Sequence, residues 1–283
     1  MMYDAAIIGA GPAGLSAAIN LKLHNKNVIW FGSKAMSDKV EKSESIANYP
    51  GMGIISGREL NEKFLKHAES LDLEVEDKMV TDISVTGKGF MILAENNVYE
   101  AEKLLLATGY VAAKGFENED RLLGRGVSYC ATCDGFFYKG KTIAVFCGAE
   151  RYEHEVKYLS EIAEKIYLFT PYKGESELDS IENIERLKSP IKTIEGENKA
   201  DAMILVDGTK VDIDGIFVLR TAVAPATVLK GLEMDGPHIK VDRETLATNI
   251  KGCYAAGDCT GRPYQIAVAV GEGNLAAHSM LED

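Results

Sequence analysis

The chain has 283 residues, 46% of them hydrophobic and 26% charged, and its 31 basic against 43 acidic side chains leave a net charge of −12. That frame fits one large domain or two modest ones and excludes a disordered chain. The acidity excludes general binding to nucleic-acid backbones or anionic membrane surfaces, and no apolar run reaches the roughly 18–20 residues of a membrane span. In chain order, Tyr3 to Ile8 reads as a strand, Pro12 to Leu23 as a helix with an Ala/Leu/Ile stripe, and Asn27 to Phe31 as a second strand. Ser56 and Glu59 form a capping-box pattern that opens a helix through Leu60, Phe64, Ala68 and Leu71. Strand-like runs follow at Val80–Val85, Phe90–Ala94 and Lys103–Ala107. From Thr142 the opening layout repeats: a strand to Phe146, a helix over Glu150–Glu164, and a strand over Lys165–Phe169. Ile213–Leu219 and Gly252–Gly257 are further strands, and Tyr264–Leu281 is a closing Ala-rich helix. Two β-α-β units of this kind predict an α/β protein with parallel sheets.

Between the first strand and its helix stands Gly9-Ala10-Gly11-Pro12-Ala13-Gly14, a G-x-G-x-x-G turn. The first glycine permits the tight turn, the second lets a pyrophosphate approach the backbone, and the third allows helix–strand packing. The helix N-terminus then offers N–H groups and positive dipole to the phosphates. A bare tight turn is the alternative, but the strand–turn–helix context points to a dinucleotide. One usual part is missing: the second strand ends Phe31-Gly32-Ser33, with no carboxylate for the ribose.

Tyr129-Cys130-Ala131-Thr132-Cys133-Asp134-Gly135 sets two thiols two residues apart with a carboxylate directly after them. A C-x-x-C at a helix start brings the sulfurs within disulfide reach and lowers one thiol pKa, while Asp134 can carry protons for the leaving thiolate. The rival is half of a Cys₄ zinc site, for which Cys147, Cys253 and Cys259 supply no second C-x-x-C. These three read as small buried hydrophobes, and no metal site is expected. Too few cysteines for a secreted scaffold, together with a Met-Met-Tyr-Asp start that lacks a basic flank, predict a cytoplasmic protein.

Six ordered motifs converge on one family: the glycine turn, Asn48-Tyr49-Pro50-Gly51, Ala107-Thr108-Gly109, Cys130–Asp134, Tyr254-Ala255-Ala256-Gly257-Asp258, and Gln265 through Gly271-Glu272-Gly273. Through them nearly the whole chain resembles the low-molecular-weight thioredoxin reductases. The resemblance implies two dinucleotide-binding, Rossmann-like, three-layer domains, the second inserted in the first. An FAD-binding domain would comprise residues 1–112 and 222–283, and an inserted NADPH-like domain, residues 113–221, would carry the C-x-x-C. By position, Gly9, Gly11, Pro12, Ala13 and Gly14 would hold the FAD pyrophosphate, Phe31, Gly32 and Ser33 the adenosine side, and Val80 would lie near the adenine. Gly257 and Asp258 would bind the ribityl–phosphate region. Tyr264, Gln265 and Ile266 would face the isoalloxazine, and Asn48, Ala107 and Gly109 would line the same site. Cys133 would stand beside the flavin, Cys130 would attack the partner protein thioredoxin, and Asp134 would be the acid–base. A homodimer is implied as well.

The second unit departs from that family. Its turn reads Cys147-Gly148-Ala149-Glu150-Arg151-Tyr152, with side chains where small residues are needed and an acid where a pyrophosphate would sit. After the next strand, Phe169-Thr170-Pro171 replaces the basic cluster that grips a 2′-phosphate. Flavin and disulfide without a nicotinamide site resemble the ferredoxin-dependent flavin thioredoxin reductases, which implies ferredoxin as donor. The short second domain and Gly124-Arg125-Gly126-Val127-Ser128-Tyr129 ahead of the cysteines belong to the same resemblance. Three alternatives stay open: a flavin dithiol oxidase running toward oxygen, an NADPH-dependent reductase with a degenerate site, and a flavin-binding sensor. Ferredoxins are acidic too, so a local basic patch has to offset the repulsion, and Lys139, Lys141, Arg121 and Arg125 flank the cysteines.

Overall fold

In a computed structural model of the chain, residues 2–95, 97–110, 115–174, 176–220 and 225–283 are described. The fold is α/β and divides into two compact units, Met1–Ala112 with Ala224–Asp283, and Ala113–Val223.

The first unit opens with strand β1 (Met2–Ile8), helix Pro12–Leu23 and β2 (Val28–Phe31), with β1 and β2 parallel. Alternation is absent in Ala5-Ala6-Ile7 because this strand is covered on both faces. The capping box forms as expected: Ser56 accepts from the Glu59 N–H, Glu59 reaches back to the Ser56 N–H, and helix Gly57–Glu69 follows. A meander comes next, β3 (Val80–Thr86), β4 (Gly89–Ala94) and β5 (Asn97–Leu106). Strand β5 starts well before the Lys103 expected for it. Its first half is half-polar and pairs antiparallel with β4, and its last residues are apolar and run parallel to β1.

The second unit carries an all-parallel five-stranded sheet built from β6 (Val127–Ser128), β7 (Thr142–Cys147), β8 (Lys165–Phe169), β9 (Ile184–Arg186) and, later in the chain, Gly215–Leu219; the order is β6, Gly215–Leu219, β7, β8, β9. The expected helix over 150–164 is shorter. Residues Glu150–Tyr152 form a tighter 3₁₀ turn, and the α-helix covers only Glu153–Ser160. No side chain caps its start, and three glutamates crowd the first turns. A separate antiparallel meander, β10 (Ile191–Glu195), β11 (Ala202–Leu205) and β12 (Lys210–Asp212), precedes strand β13 (Gly215–Leu219).

The chain then returns to the first unit through a small hairpin of β14 (Met234–Asp235) and β15 (His238–Ile239), followed by β16 (Cys253–Ala255). Strand β16 lies parallel to the apolar end of β5, on the side opposite β1. The closing helix Ile266–Glu282 packs on helix Pro12–Leu23, so closely that a Cβ on Gly273 would stand 2.1 Å from the Ala13 carbonyl oxygen. Ala18, Ala276, Ala277, Leu60 and Trp30 join one buried core beneath these helices.

Candidate functional site

The C-terminal ends of β1, β5 and β16 bring the first unit's predicted residues together. Gly9 has φ +121°, and a Cβ there would meet the Ala107 carbonyl oxygen at 2.1 Å, so only glycine closes this turn. Gly14 is equally constrained, because its Cβ would lie 1.9 Å from the Gly9 carbonyl oxygen, which also accepts a hydrogen bond from the Trp30 indole at 2.9 Å. Gly11 differs: nothing stands within 4 Å of the position its Cβ would take. Gly11 is also the N-cap of helix Pro12–Leu23, and no side chain caps that terminus. An open cradle above uncapped N–H groups is what an approaching phosphate requires. Ala13, behind it, packs against Gly257, whose Cβ would be 3.0 Å from the Ala13 Cβ.

Around this cradle, the Phe31-Gly32-Ser33 loop follows buried Phe31, and the Gly32 N–H donates to the Glu76 carbonyl at 3.1 Å. Val80 is buried at the head of β3. Asp258 sits in a 3₁₀ turn, Asp258–Thr260, fixed from below by Glu272, whose Oε2 accepts the Gly257 N–H at 2.7 Å and the Thr260 hydroxyl at 3.0 Å. Gln265 is the N-cap of the closing helix, next to Tyr264 and Ile266, and its Oε1 accepts from the Asn48 amide at 2.8 Å. Two residues 217 positions apart, both predicted for one site, thus touch.

In the second unit Cys130 and Cys133 form a disulfide, with Cα atoms 5.3 Å apart. Cys130 caps the one-turn helix Ala131–Asp134 and its Sγ accepts the Cys133 N–H at 3.1 Å. Ser128, missed by sequence reasoning, pins the Cys130 backbone by accepting its N–H at 3.1 Å and donating to its carbonyl at 3.2 Å. Cys130 is buried, whereas Cys133 and Asp134 are half-buried. Burial pushes the thiols of Cys253 and Cys259 up to about 12 and raises that of Cys147. Among the described residues, no group of three His, Cys, Asp or Glu side chains is arranged to hold a metal.

The second glycine-poor turn is filled from within. Cys147 is fully buried, and its Sγ lies 3.3 Å from both the Ala149 carbonyl oxygen and the Tyr172 hydroxyl. Tyr172 donates to Glu153 Oε1 at 2.8 Å, and Ser176 donates to Glu153 Oε2 at 2.7 Å. The first helical turn that would face a phosphate therefore holds a carboxylate with its own partners. Phe146 stacks on Phe169 with ring centroids 6.1 Å apart, closing the ends of β7 and β8. Arg186 comes near Thr170 but is committed to Asp179 and to the Thr170 hydroxyl. Tyr172, Glu153 and Ser176 were not legible beforehand, because the sequence marks what the turn lacks and not what replaces it.

The family model for pyridine nucleotide-disulphide oxidoreductases matches residues 3–149 and 183–273. The chain belongs to that family. It is an oxidoreductase of the thioredoxin reductase type, a flavin disulfide reductase with FAD as cofactor and a Cys130–Cys133 disulfide. A thioredoxin reductase of Mycoplasma genitalium is 31% identical over 100% of this chain and 96% of its own length. A ferredoxin-flavin thioredoxin reductase from Clostridium acetobutylicum is 41% identical, with a TM-score of 0.94 over 100% of this chain and 97% of its own. A thioredoxin reductase from Gloeobacter violaceus is 26% identical, with a TM-score of 0.83 over 99% of this chain and 93% of its own. The open cradle at Gly11, beside a helix terminus without a side-chain cap, fits the pyrophosphate of the family's cofactor. Among the described residues, no helix is long and apolar enough to cross a membrane.

Proposed function

We propose that this reductase takes electrons from reduced ferredoxin, not from NADPH, and delivers them through the Cys130–Cys133 pair to the disulfide of thioredoxin. The observation that carries the reading is the hydrogen-bonded fill of the second turn, where Cys147, Tyr172 and Glu153 occupy what a nicotinamide pyrophosphate would need. The 41% identity to a ferredoxin-flavin thioredoxin reductase supports it. Bound FAD supplies the chemistry that joins one-electron donors to a two-electron acceptor.

Gly9, Gly11, Pro12, Ala13 and Gly14 hold the pyrophosphate, with Phe31, Gly32, Ser33 and Val80 on the adenosine side. Ala107, Gly109, Asn48, Gly257, Asp258, Tyr264, Gln265 and Ile266 bind and orient the rest of the cofactor. Two reduced ferredoxins each lose one electron, and with two protons these convert the Cys130–Cys133 disulfide to two thiols. The Cys130 thiolate, steadied by the Cys133 N–H, attacks one thioredoxin sulfur and expels the other as thiolate. Cys133 then attacks Cys130, its proton passing by way of Asp134, so that the second thioredoxin thiol leaves and the Cys130–Cys133 bond re-forms. Cys130 has to become uncovered for its attack, being 9% exposed in the oxidised protein.

With donors near −400 mV and thioredoxin near −270 mV, the two-electron transfer runs downhill by about 6 kcal/mol. We infer further that the protein acts as a homodimer, as its family resemblance implies, and in the cytoplasm, as its few cysteines imply. The test is equilibrium binding of NADPH, set beside ferredoxin-driven reduction of thioredoxin. No NADPH binding at millimolar concentration and saturable turnover with ferredoxin are expected, and NADPH-driven turnover at micromolar cofactor would return the chain to the nicotinamide-dependent reductases.

A further inference from the structure

Three basic side chains of the first unit, Lys39, Arg243 and Arg262, meet or belong to its Gly257–Gln265 loop. Tyr110 and Tyr264 stack with centroids 5.0 Å apart, His238 lies 5.6 Å from Tyr110, and His238 Nε2 is 2.7 Å from the Tyr264 hydroxyl. Lys39 Nζ stands 4.9 Å from the Tyr264 ring centroid and the Arg262 guanidinium 5.5 Å from it. Arg243 holds the same loop by donating to the Thr260 carbonyl at 2.9 Å.

The counter-charges are arranged asymmetrically. Lys39 is 63% exposed while its partner Asp258 is 15% exposed, and Arg243 is 61% exposed against 19% for Glu272. Arg262 is exposed as well. On a chain of net charge −12, Lys39, Arg243 and Arg262 thus stand exposed here, and the acids paired with Lys39 and Arg243 are largely covered. Exposed acids also stand beside them, among them Asp242 and Glu244, next to Arg243. Exposed Tyr110 supplies an aromatic centre of the kind that anchors protein contacts.

We propose that this cationic, aromatic face is where an acidic iron–sulfur electron carrier docks, an inference that rests on the donor reading above. A one-electron carrier has to enter beside the residues that orient the flavin, since the disulfide accepts a pair, and Tyr264 and Gln265 belong to those residues. Lys139, Lys141, Arg121 and Arg125, which flank the cysteines, then serve no role in donor docking. Charge complementarity of this sort acts mainly on encounter rate and is screened by salt.

The experiment uses the full-length, FAD-loaded protein and follows anaerobic bleaching of the flavin by a reduced ferredoxin and, separately, by dithionite. Arg262→Glu is expected to raise the half-saturating ferredoxin concentration about tenfold and to flatten its salt dependence, with flavin content and the dithionite rate unchanged. Arg262→Gln and Tyr110→Ser are expected to shift the same quantity in the same direction by less, and Lys139→Glu to leave it unmoved. Unaltered ferredoxin saturation in Arg262→Glu, or a shift found in Lys139→Glu alone, overturns the assignment of this face. Loss of flavin from Arg262→Glu also overturns it, by showing that the arginine serves the cofactor. A wild-type flavin that ferredoxin does not bleach while dithionite does would defeat the donor reading itself.

Discussion

Two strand–turn–helix segments of this chain share one layout and differ in what stands at the turn. After β1, Gly9 and Gly14 are compressed against backbone, and Gly11 faces open space before an uncapped helix. After β7, the backbone still turns, with the Gly148 N–H donating to the Leu219 carbonyl at 2.7 Å, but Cys147, Tyr172, Glu153 and Ser176 satisfy one another there. On the donor reading proposed above, the difference teaches that a nucleotide site is lost not merely by deleting glycines. On that reading the vacated positions acquire hydrogen bonds of their own, and the fold persists without the ligand.

The comparison breaks most severely at Gly9. Gly9→Ala puts a Cβ 2.1 Å from the Ala107 carbonyl oxygen at φ +121°, and we expect a loss of about 3 kcal/mol or more together with the flavin, read by chemical denaturation and visible absorbance. Gly11→Val sharpens the contrast. Its side chain enters space the protein does not fill, so the apoprotein should keep its thermal midpoint while the purified protein is colourless. In the second unit, Cys130→Ser should abolish thioredoxin reduction while the flavin stays bound. On the resemblance-based expectation that Cys133 is the sulfur beside the flavin, Cys133→Ser should also abolish it and, in addition, remove a perturbation of the flavin spectrum that Cys130→Ser leaves in place. Reversed spectral phenotypes would exchange the roles of the two sulfurs.

Smaller effects probe the fill itself. Tyr172→Phe deletes the hydroxyl that joins Cys147 to Glu153 and is expected to cost about 1 kcal/mol in urea unfolding without gaining any NADPH binding. The smallest effect is a silence. Cys253 and Cys259, held near 12, carry almost no thiolate at pH 8, and Cys147 is fully buried with its thiol raised by that burial, so alkylation of the reduced native protein should label two cysteines per chain. As pH rises toward 12, the labelled number should increase.

What was legible in the sequence follows the range of the interactions. The Gly9–Gly14 turn, the Ser56–Glu59 capping box and the C-x-x-C at a helix start are local, and each appears at the residues that signal it. Asn48 and Gln265 were assigned to one site only through resemblance, and their hydrogen bond had no signal at all, because no spacing rule relates residues 217 positions apart. The first half of β5 escaped notice because it is polar and gains its order from β4, and the meander β10–β12 because its strands are short. Contacts such as Trp30 with the Gly9 carbonyl, or Tyr110 with His238 and Tyr264, depend on where the fold delivers each ring. They carry no signal of their own in the chain.

The measurement that bears most directly on the contrast between the two turns is anaerobic titration of the purified yellow protein with NADPH, NADH and reduced ferredoxin in turn, following flavin absorbance. The filled second turn predicts that neither nicotinamide bleaches the flavin on a catalytic timescale and that ferredoxin does, with two electrons taken up by the Cys130–Cys133 disulfide and two more by the flavin before the bleaching persists. Rapid, saturable bleaching by micromolar NADPH would contradict it, because a pyrophosphate would then be finding room where Cys147, Tyr172 and Glu153 are bonded to one another.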